Sequence, residues 1–260
     1  MPTVNVLILR AAGTNCDLET EHAWRLAGAS PERVHLRRVI ENPALIDRYQ
    51  IVTLPGGFSY GDDISAGRIF AQQLRRHLND SLRTAVDRGR LILGICNGFQ
   101  ILVKAGLLPD PTAETGNHWP CTVTYNDPPG FQNRWVTLQA QPGPCVFLEP
   151  GRTYEMPIAH GEGRVVFASD ADRQRIREQR QAALTYVPSA PGLHGRDPAN
   201  PNGSADDLAG LCDPTGRVFG LMPHPDRFVE WTQHPCWTSL PAREHGDGLH
   251  VFQRAVAYFG

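Results

Sequence analysis

Short apolar runs at residues 4–9, 50–54, 90–95 and 218–222 have the length and texture of strands buried on both faces, and a more mixed run at 34–40 reads as another. Between them apolar positions recur at helical spacing. Residues 17–26 form one such segment, with Gly28 placed to cap it, and Asn42-Pro43 reads as a cap and first helical residue. Residues 69–86 carry one long helical pattern with a basic and polar outer face, and 99–104 another, stopped by Gly106. Strands alternating with helices predict an α/β fold with a mostly parallel central sheet flanked by helices, whose ligands bind beyond the carboxyl ends of the strands.

Past Pro109 the pattern changes to shorter runs at 121–125, 135–139 and 165–168, with Pro and Gly between them. These predict extra strands in the second half, open to antiparallel pairing, with a short helix near 172–181. Residues 188–204, rich in Pro, Gly and Asn, read as a loop, and 248–259 as a closing helix.

The 260 residues suffice for one large α/β domain or two small ones, and the net charge is −2. No basic stripe points to nucleic acid, no run approaches membrane-spanning length, and residues 1–10 lack the features of a signal peptide. A cytoplasmic protein with reduced thiols is expected. The six cysteines, at 16, 96, 121, 145, 212 and 236, contain no CxxC pair, so neither a disulfide framework nor a metal site is expected.

The chemistry centres on Leu91-Ile92-Leu93-Gly94-Ile95-Cys96-Asn97-Gly98-Phe99-Gln100, a strand, a sharp turn and a helix start. Glycines two residues either side of Cys96 allow a strained bend that lifts the sulfur clear of the sheet. A helix N-terminus there favours thiolate over thiol, although a buried structural cysteine is the simpler reading of the residue alone. Cys16 is a rival, since it too follows a strand and opens a helix, but it lacks the flanking glycines. Among ten histidines, His224 in Pro223-His224-Pro225-Asp226-Arg227 follows a buried-type strand and so shares the sheet edge with Cys96. In an extended segment Asp226, two residues on, points the same way and can orient it. Pro55-Gly56-Gly57-Phe58-Ser59-Tyr60-Gly61-Asp62-Asp63 is either an anion-binding turn or a plain tight loop. His160 can contact substrate or cap a strand end, while His234 and His250 read as structural.

Gly94-Ile95-Cys96-Asn97-Gly98-Phe99-Gln100 with a downstream Pro-His-Pro resembles the pattern of class I (triad) glutamine amidotransferases. Gly13-Thr14-Asn15-Cys16-Asp17, the 55–62 loop, Ala159-His160-Gly161-Glu162-Gly163, Asn200-Pro201-Asn202-Gly203-Ser204 and Gly220-Leu221-Met222-Pro223-His224-Pro225 are similar to one branch, the glutaminase subunits of phosphoribosylformylglycinamidine synthase. The resemblance covers the chain nearly end to end. It implies a flavodoxin-like architecture and a single glutamine amidotransferase domain over 1–260. It also implies glutamine hydrolysis with Cys96 as nucleophile, His224 as proton shuttle and Asp226 as orienting acid.

The resemblance further implies that backbone amides near Gly57 and Asn97 hold the oxyanion, with Phe58, Gln100 and His160 beside the substrate. Ammonia would pass to a synthetase subunit that uses ATP and Mg to convert formylglycinamide ribonucleotide to its amidine, with a small third subunit as a possible bridge. No cofactor is expected in this chain, which has no Walker loop. One departure is Asp226, where the family usually has glutamate; the shorter arm asks the backbone to approach by about one methylene, and Glu230 is the fallback acid. The alternatives are a glutaminase serving another synthetase, a cysteine hydrolase of related fold that releases no ammonia from glutamine, and a non-catalytic scaffold, which would be expected to lack Cys96 or His224.

Overall fold

The computed structural model describes residues 3–110, 118–189 and 198–260. Part of the expected 188–204 loop therefore lies outside the described residues.

Strand β1 (Asn5–Arg10), helix α1 (Asp17–Leu26) and strand β2 (Ser30–His35) open the chain. The 34–40 run departs from expectation, because it leaves β2 after His35 and becomes helix α2 (Leu36–Glu41). Leu36 and Val39 are buried three residues apart, which is a helical face, and the His35 ring caps the turn by accepting the Arg37 N–H at 3.2 Å. Pro43 starts a three-ten turn over Pro43–Arg48, which leads to β3 (Ile51–Leu54).

The long helix expected over 69–86 is two, α3 (Arg68–His77) and α4 (Asn79–Asp87). They break at Leu78, whose φ of −128° is not helical. Leu74, Leu78 and Leu82 are all fully buried, so the i, i+4 apolar spacing runs unbroken through a backbone that bends. After β4 (Leu91–Ile95), helix α5 (Asn97–Ala105) ends at Gly106 in the left-handed conformation, as the sequence suggests.

The second half supplies β5 (Cys121–Thr124), β6 (Gln132–Ala140), β7 (Thr153–His160), β8 (Arg164–Phe167), α6 (Asp170–Glu178), β9 (Leu184–Val187), β10 (Leu208–Cys212), β11 (Val218–Leu221) and α7 (Asp247–Ala257). The main sheet runs β2-β1-β3-β4-β11-β10-β9-β6-β7. From β2 to β11 every pairing is parallel, and from β11 to β7 every pairing is antiparallel. A separate antiparallel pair joins β5 to β8.

Core packing ties helices to the parallel half of the sheet. Trp24 of α1 is fully buried, meets Phe252 of α7 edge to face at 4.8 Å between ring centres, and donates its indole N–H to the Thr53 hydroxyl at 3.0 Å. Burying a ring of this size contributes about 2–3 kcal/mol, and the hydrogen bond satisfies its one polar atom. Among the described residues no helix is long and apolar enough to cross a membrane.

Candidate active site

Strands β4 and β11 are parallel neighbours in register, Gly94 beside Gly220 and Ile95 beside Leu221. They end together, and Cys96 leaves one tip as the chain reaches His224 from the other. The Cys96 N–H still donates to Leu221 O at 2.8 Å, after which the backbone turns at φ 50°, ψ −103°. A non-glycine residue held in such a conformation stores on the order of 1–3 kcal/mol, and the turn has to be enforced from outside. Gly98 does part of that, since α5 begins against the end of β3. A β carbon at Gly98 would lie 1.9 Å from Leu54 O, so only glycine lets the helix start there.

His224 is fully buried, with its ring between two partners. Nδ1 is 3.2 Å from Asp226 Oδ1, and Cys96 lies close enough for its charge to act on the imidazole. Burial opposes the imidazolium, but the charge of Cys96 and the hydrogen bond to Asp226 outweigh it and lift His224 to about 9. The route differs from the extended segment expected. Pro225–Arg227 is a three-ten turn that folds Asp226 back under the ring. The other carboxylate oxygen, Asp226 Oδ2, accepts the Thr20 hydroxyl at 2.8 Å, with both residues buried.

Cys16 stands next to this group without joining it. It is buried, outside the lining of the pocket that holds Cys96, and burial together with the charge of Asp226 pushes its thiol well above the usual range. Its sulfur, the Glu19 carboxylate and a His224 nitrogen lie within 4.8 Å of one another. The Arg227 guanidinium already sits among them, 2.7 Å from Glu19 and 3.1 Å from the Cys16 sulfur, and so supplies the positive charge there. Glu230, the fallback acid, pairs with His22 at 2.9 Å, and both are about half exposed.

A cavity of about 240 Å³ opens beside Cys96, the scale of a small metabolite. Gly57, Phe58, Gln100 and His160 line it, as expected. Gly57 has φ 133°, and no partner for its N–H is found among the described residues. The Asn97 N–H belongs to the first turn of α5 and has no intrahelical acceptor. The Phe58 N–H, by contrast, is taken by Gly13 O at 2.9 Å, so Phe58 offers the cavity its ring and not its amide.

The side chain of Asn97 works as a brace. Its Oδ1 accepts the Ser59 N–H at 3.2 Å and its Nδ2 reaches Asp62 and Gln100, tying the 56–59 turn to α5. Gln100 in turn donates to Glu162 O, so its amide fixes the cavity wall. Asp62 and Glu162 also line the cavity, and Glu162 is held by Lys104 at 3.4 Å and by the Ala66 N–H at 3.1 Å. Both acids fall inside the 55–63 and 159–163 motifs, where the sequence alone assigns them no place. Thr20 and Asn126 leave no signal in the sequence, because a polar residue in a helix and another in an irregular loop make no pattern to find.

His234 packs among Trp135, Phe228 and Trp231, and His250 Nδ1 meets the Tyr154 hydroxyl at 3.0 Å, neither among the residues lining this cavity.

Known proteins resemble the chain over nearly its whole length. Residues 3–259 match the family described as the CobB/CobQ-like glutamine amidotransferase domain. The chain is 40% identical to the phosphoribosylformylglycinamidine synthase subunit PurQ of Dehalococcoides mccartyi, over 99% of this chain and 98% of that one. It is 37% identical to the PurQ subunit of Methanococcus maripaludis, over 98% and 97% of the two chains. The PurLQS structure from Thermotoga maritima contains a chain that superposes with a TM-score of 0.74 at 32% identity, over 100% of both chains. A second Thermotoga maritima structure, of a glutamine amidotransferase, shares the fold at a TM-score of 0.52 and 16% identity, over 92% and 82% of the two chains. The chain belongs to the CobB/CobQ-like glutamine amidotransferases and, within them, to the PurQ subunits of phosphoribosylformylglycinamidine synthase.

Proposed function

We propose that the chain hydrolyses glutamine to glutamate and ammonia and delivers the ammonia to a synthetase subunit for the amidation of formylglycinamide ribonucleotide in purine biosynthesis. The observation that carries this is the buried Cys96–His224–Asp226 chain of contacts at one sheet edge, open to a cavity of metabolite size. In this reading the Cys96 sulfur attacks the carboxamide carbon. The oxygen takes up the negative charge between the Gly57 and Asn97 amides, each such donor being worth about 3 kcal/mol in the transition state. His224 gives its proton to the nitrogen, the C–N bond breaks, and ammonia leaves a thioester on Cys96. Water, deprotonated by the now neutral His224, attacks the thioester, and glutamate leaves as the sulfur recovers its electrons. Asp226 keeps Nδ1 protonated throughout, so that the other nitrogen faces the reaction.

The partner follows from the same reading. The Thermotoga maritima relative is part of PurLQS, and we assign this chain a synthetase partner and a small third subunit on that basis. ATP and Mg belong to the synthetase; Lys104, the only lysine in this sequence, is committed to Glu162 and is not set in a Walker loop. Residues 1–260 are taken as one amidotransferase domain, and six free thiols suit a cytoplasmic setting. The test is a glutaminase assay on the purified chain with and without its synthetase, nucleotide and ribonucleotide substrate. Ammonia release that rises when the synthetase docks is expected; no release from glutamine under either condition would overturn the reading.

A further inference from the structure

His160 ends β7 and its ring lies over Gly163, where a β carbon would come within 2.2 Å of Cε1 and 2.8 Å of Nε2. Its Nδ1 is 3.1 Å from Asn126 Oδ1. The Asn126 amide can sit only one way round. Its Nδ2 faces two carbonyls, Gly130 O at 2.8 Å and His160 O at 2.9 Å, and its Oδ1 accepts the Gly163 N–H at 2.9 Å. An amide oxygen cannot donate, so His160 Nδ1 carries the proton and Nε2 keeps a bare lone pair. That nitrogen is buried and finds no partner among the described residues, and His160 is one of the residues that line the same cavity as Cys96. The Cys96 sulfur is itself 3.7 Å from Ala159 O, the residue before His160. Burial and the positive charge of His224 push His160 down to about 3, so the ring stays neutral wherever the enzyme works.

A buried acceptor without a donor is costly until something supplies one. We infer that His160 Nε2 accepts a hydrogen bond from the carboxamide N–H of glutamine, and that this contact makes the site select glutamine over glutamate. The inference rests on the glutaminase reading and adds to it a basis for telling substrate from product. Glutamine presents an N–H where glutamate presents only oxygen lone pairs, and lone pair against lone pair in a buried site is repulsive. Sites built to pair with a hydrogen-bonding group discriminate strongly against an analogue that lacks it. Once the C–N bond has broken, the same nitrogen is too weak a base to hold a proton, so it can hold the leaving group as neutral ammonia.

The test uses the Cys96→Ala chain assembled with its synthetase, titrated calorimetrically with glutamine and separately with glutamate, with and without His160→Phe. Phenylalanine keeps the ring and removes the acceptor. The ratio of glutamine to glutamate affinity is expected to fall at least tenfold in His160→Phe. A ratio unchanged while glutamine still binds overturns the inference and leaves the glutaminase reading standing; a parent complex that binds neither amino acid overturns both. Should His160→Phe fail to fold, nitrogen NMR of the Cys96→Ala chain decides. Nε2 is expected to resonate as an unprotonated imidazole nitrogen and to move with glutamine but not glutamate, and a proton found on Nε2 in the free chain refutes the assignment.

Discussion

The Thr20 hydroxyl donates to Asp226 Oδ2 at 2.8 Å while Asp226 Oδ1 faces His224, so the shorter acid of this chain is anchored from behind by a helix near the start of the sequence. Thr20 is a positioning residue, acting on His224 through Asp226. Thr20→Val is expected to lower kcat roughly tenfold, the size of one buried charge-assisted hydrogen bond, with little change in KM. Thr20→Ser should restore the rate. Combined with Asp226→Asn, Thr20→Val should add almost nothing further, because the two act as one unit. Fully additive losses in that double-mutant cycle would show that Thr20 matters only for packing.

Asp226→Ala should leave measurable turnover where Cys96→Ala leaves none, since an orienting acid is less essential than the bond-forming atom. Asp226→Glu adds a methylene in a buried site already closed by Thr20. Its rate should fall alone and recover when Thr20→Ser is added to make room. Steady-state kinetics on the four proteins checks this, and a native rate in Asp226→Ala would remove Asp226 from the triad.

A glutamine-like electrophile should modify Cys96 and spare Cys16, whose thiol is buried and held in its protonated form by burial and the nearby Asp226 charge. Peptide mass spectrometry locates the adduct. Cys96→Ala should also abolish glutamine-dependent synthesis by the complex while ammonia-dependent synthesis survives. An adduct on Cys16 would reverse the assignment.

The pH dependence carries its own sign. His224 is lifted from about 6.5 to about 9, so the stability its protonation adds is complete below 6.5 and is lost as pH rises through 9. The proton it gives to the leaving nitrogen disappears over the same upper range, so glutaminase activity should fall on the alkaline side with a midpoint near 9. Asp226→Asn removes one of the contacts that raise it, and should move that midpoint down. A midpoint indifferent to Asp226→Asn would mean another group sets the limb.

Gly98→Ala should be among the most damaging single changes, costing about 3 kcal/mol, because the added carbon meets the Leu54 carbonyl and not a side chain that can swing away. Chemical denaturation measures it.

The parallel half of the fold and the nucleophile were legible because each leaves a local signature: unbroken apolar runs for β1, β3, β4 and β11, and paired glycines around Cys96. Where local signals served two structures, the reading slipped. Val34 to Ile40 has enough β-branched character for a strand, yet the burial of Leu36 and Val39 follows the helix. The 69–86 pattern hides its break because Leu78 keeps the apolar phase. Strand β7 went unseen, since Glu155 and Pro157 interrupt its apolar character while pairing with β6 supplies the order. The Thr20 and Asn126 contacts join residues 206 and 34 positions apart in sequence, and nothing local records such a meeting.

The register that sets Ile95 beside Leu221 means that nucleophile and base follow directly from two paired strands, themselves about 4.8 Å apart by the ordinary spacing of a sheet. Everything the chain does between those two strands is a detour that returns to the same place. Strand β7 of that excursion holds the centre too, the His224 N–H donating to Pro157 O at 2.9 Å, so it is insertions or trimming in the loops between its strands that can reshape the cavity rim, or the face offered to another subunit, while the spacing of β4 and β11 stays fixed by their backbone hydrogen bonds. The reaction centre and the surfaces that choose its company are free to change at different rates.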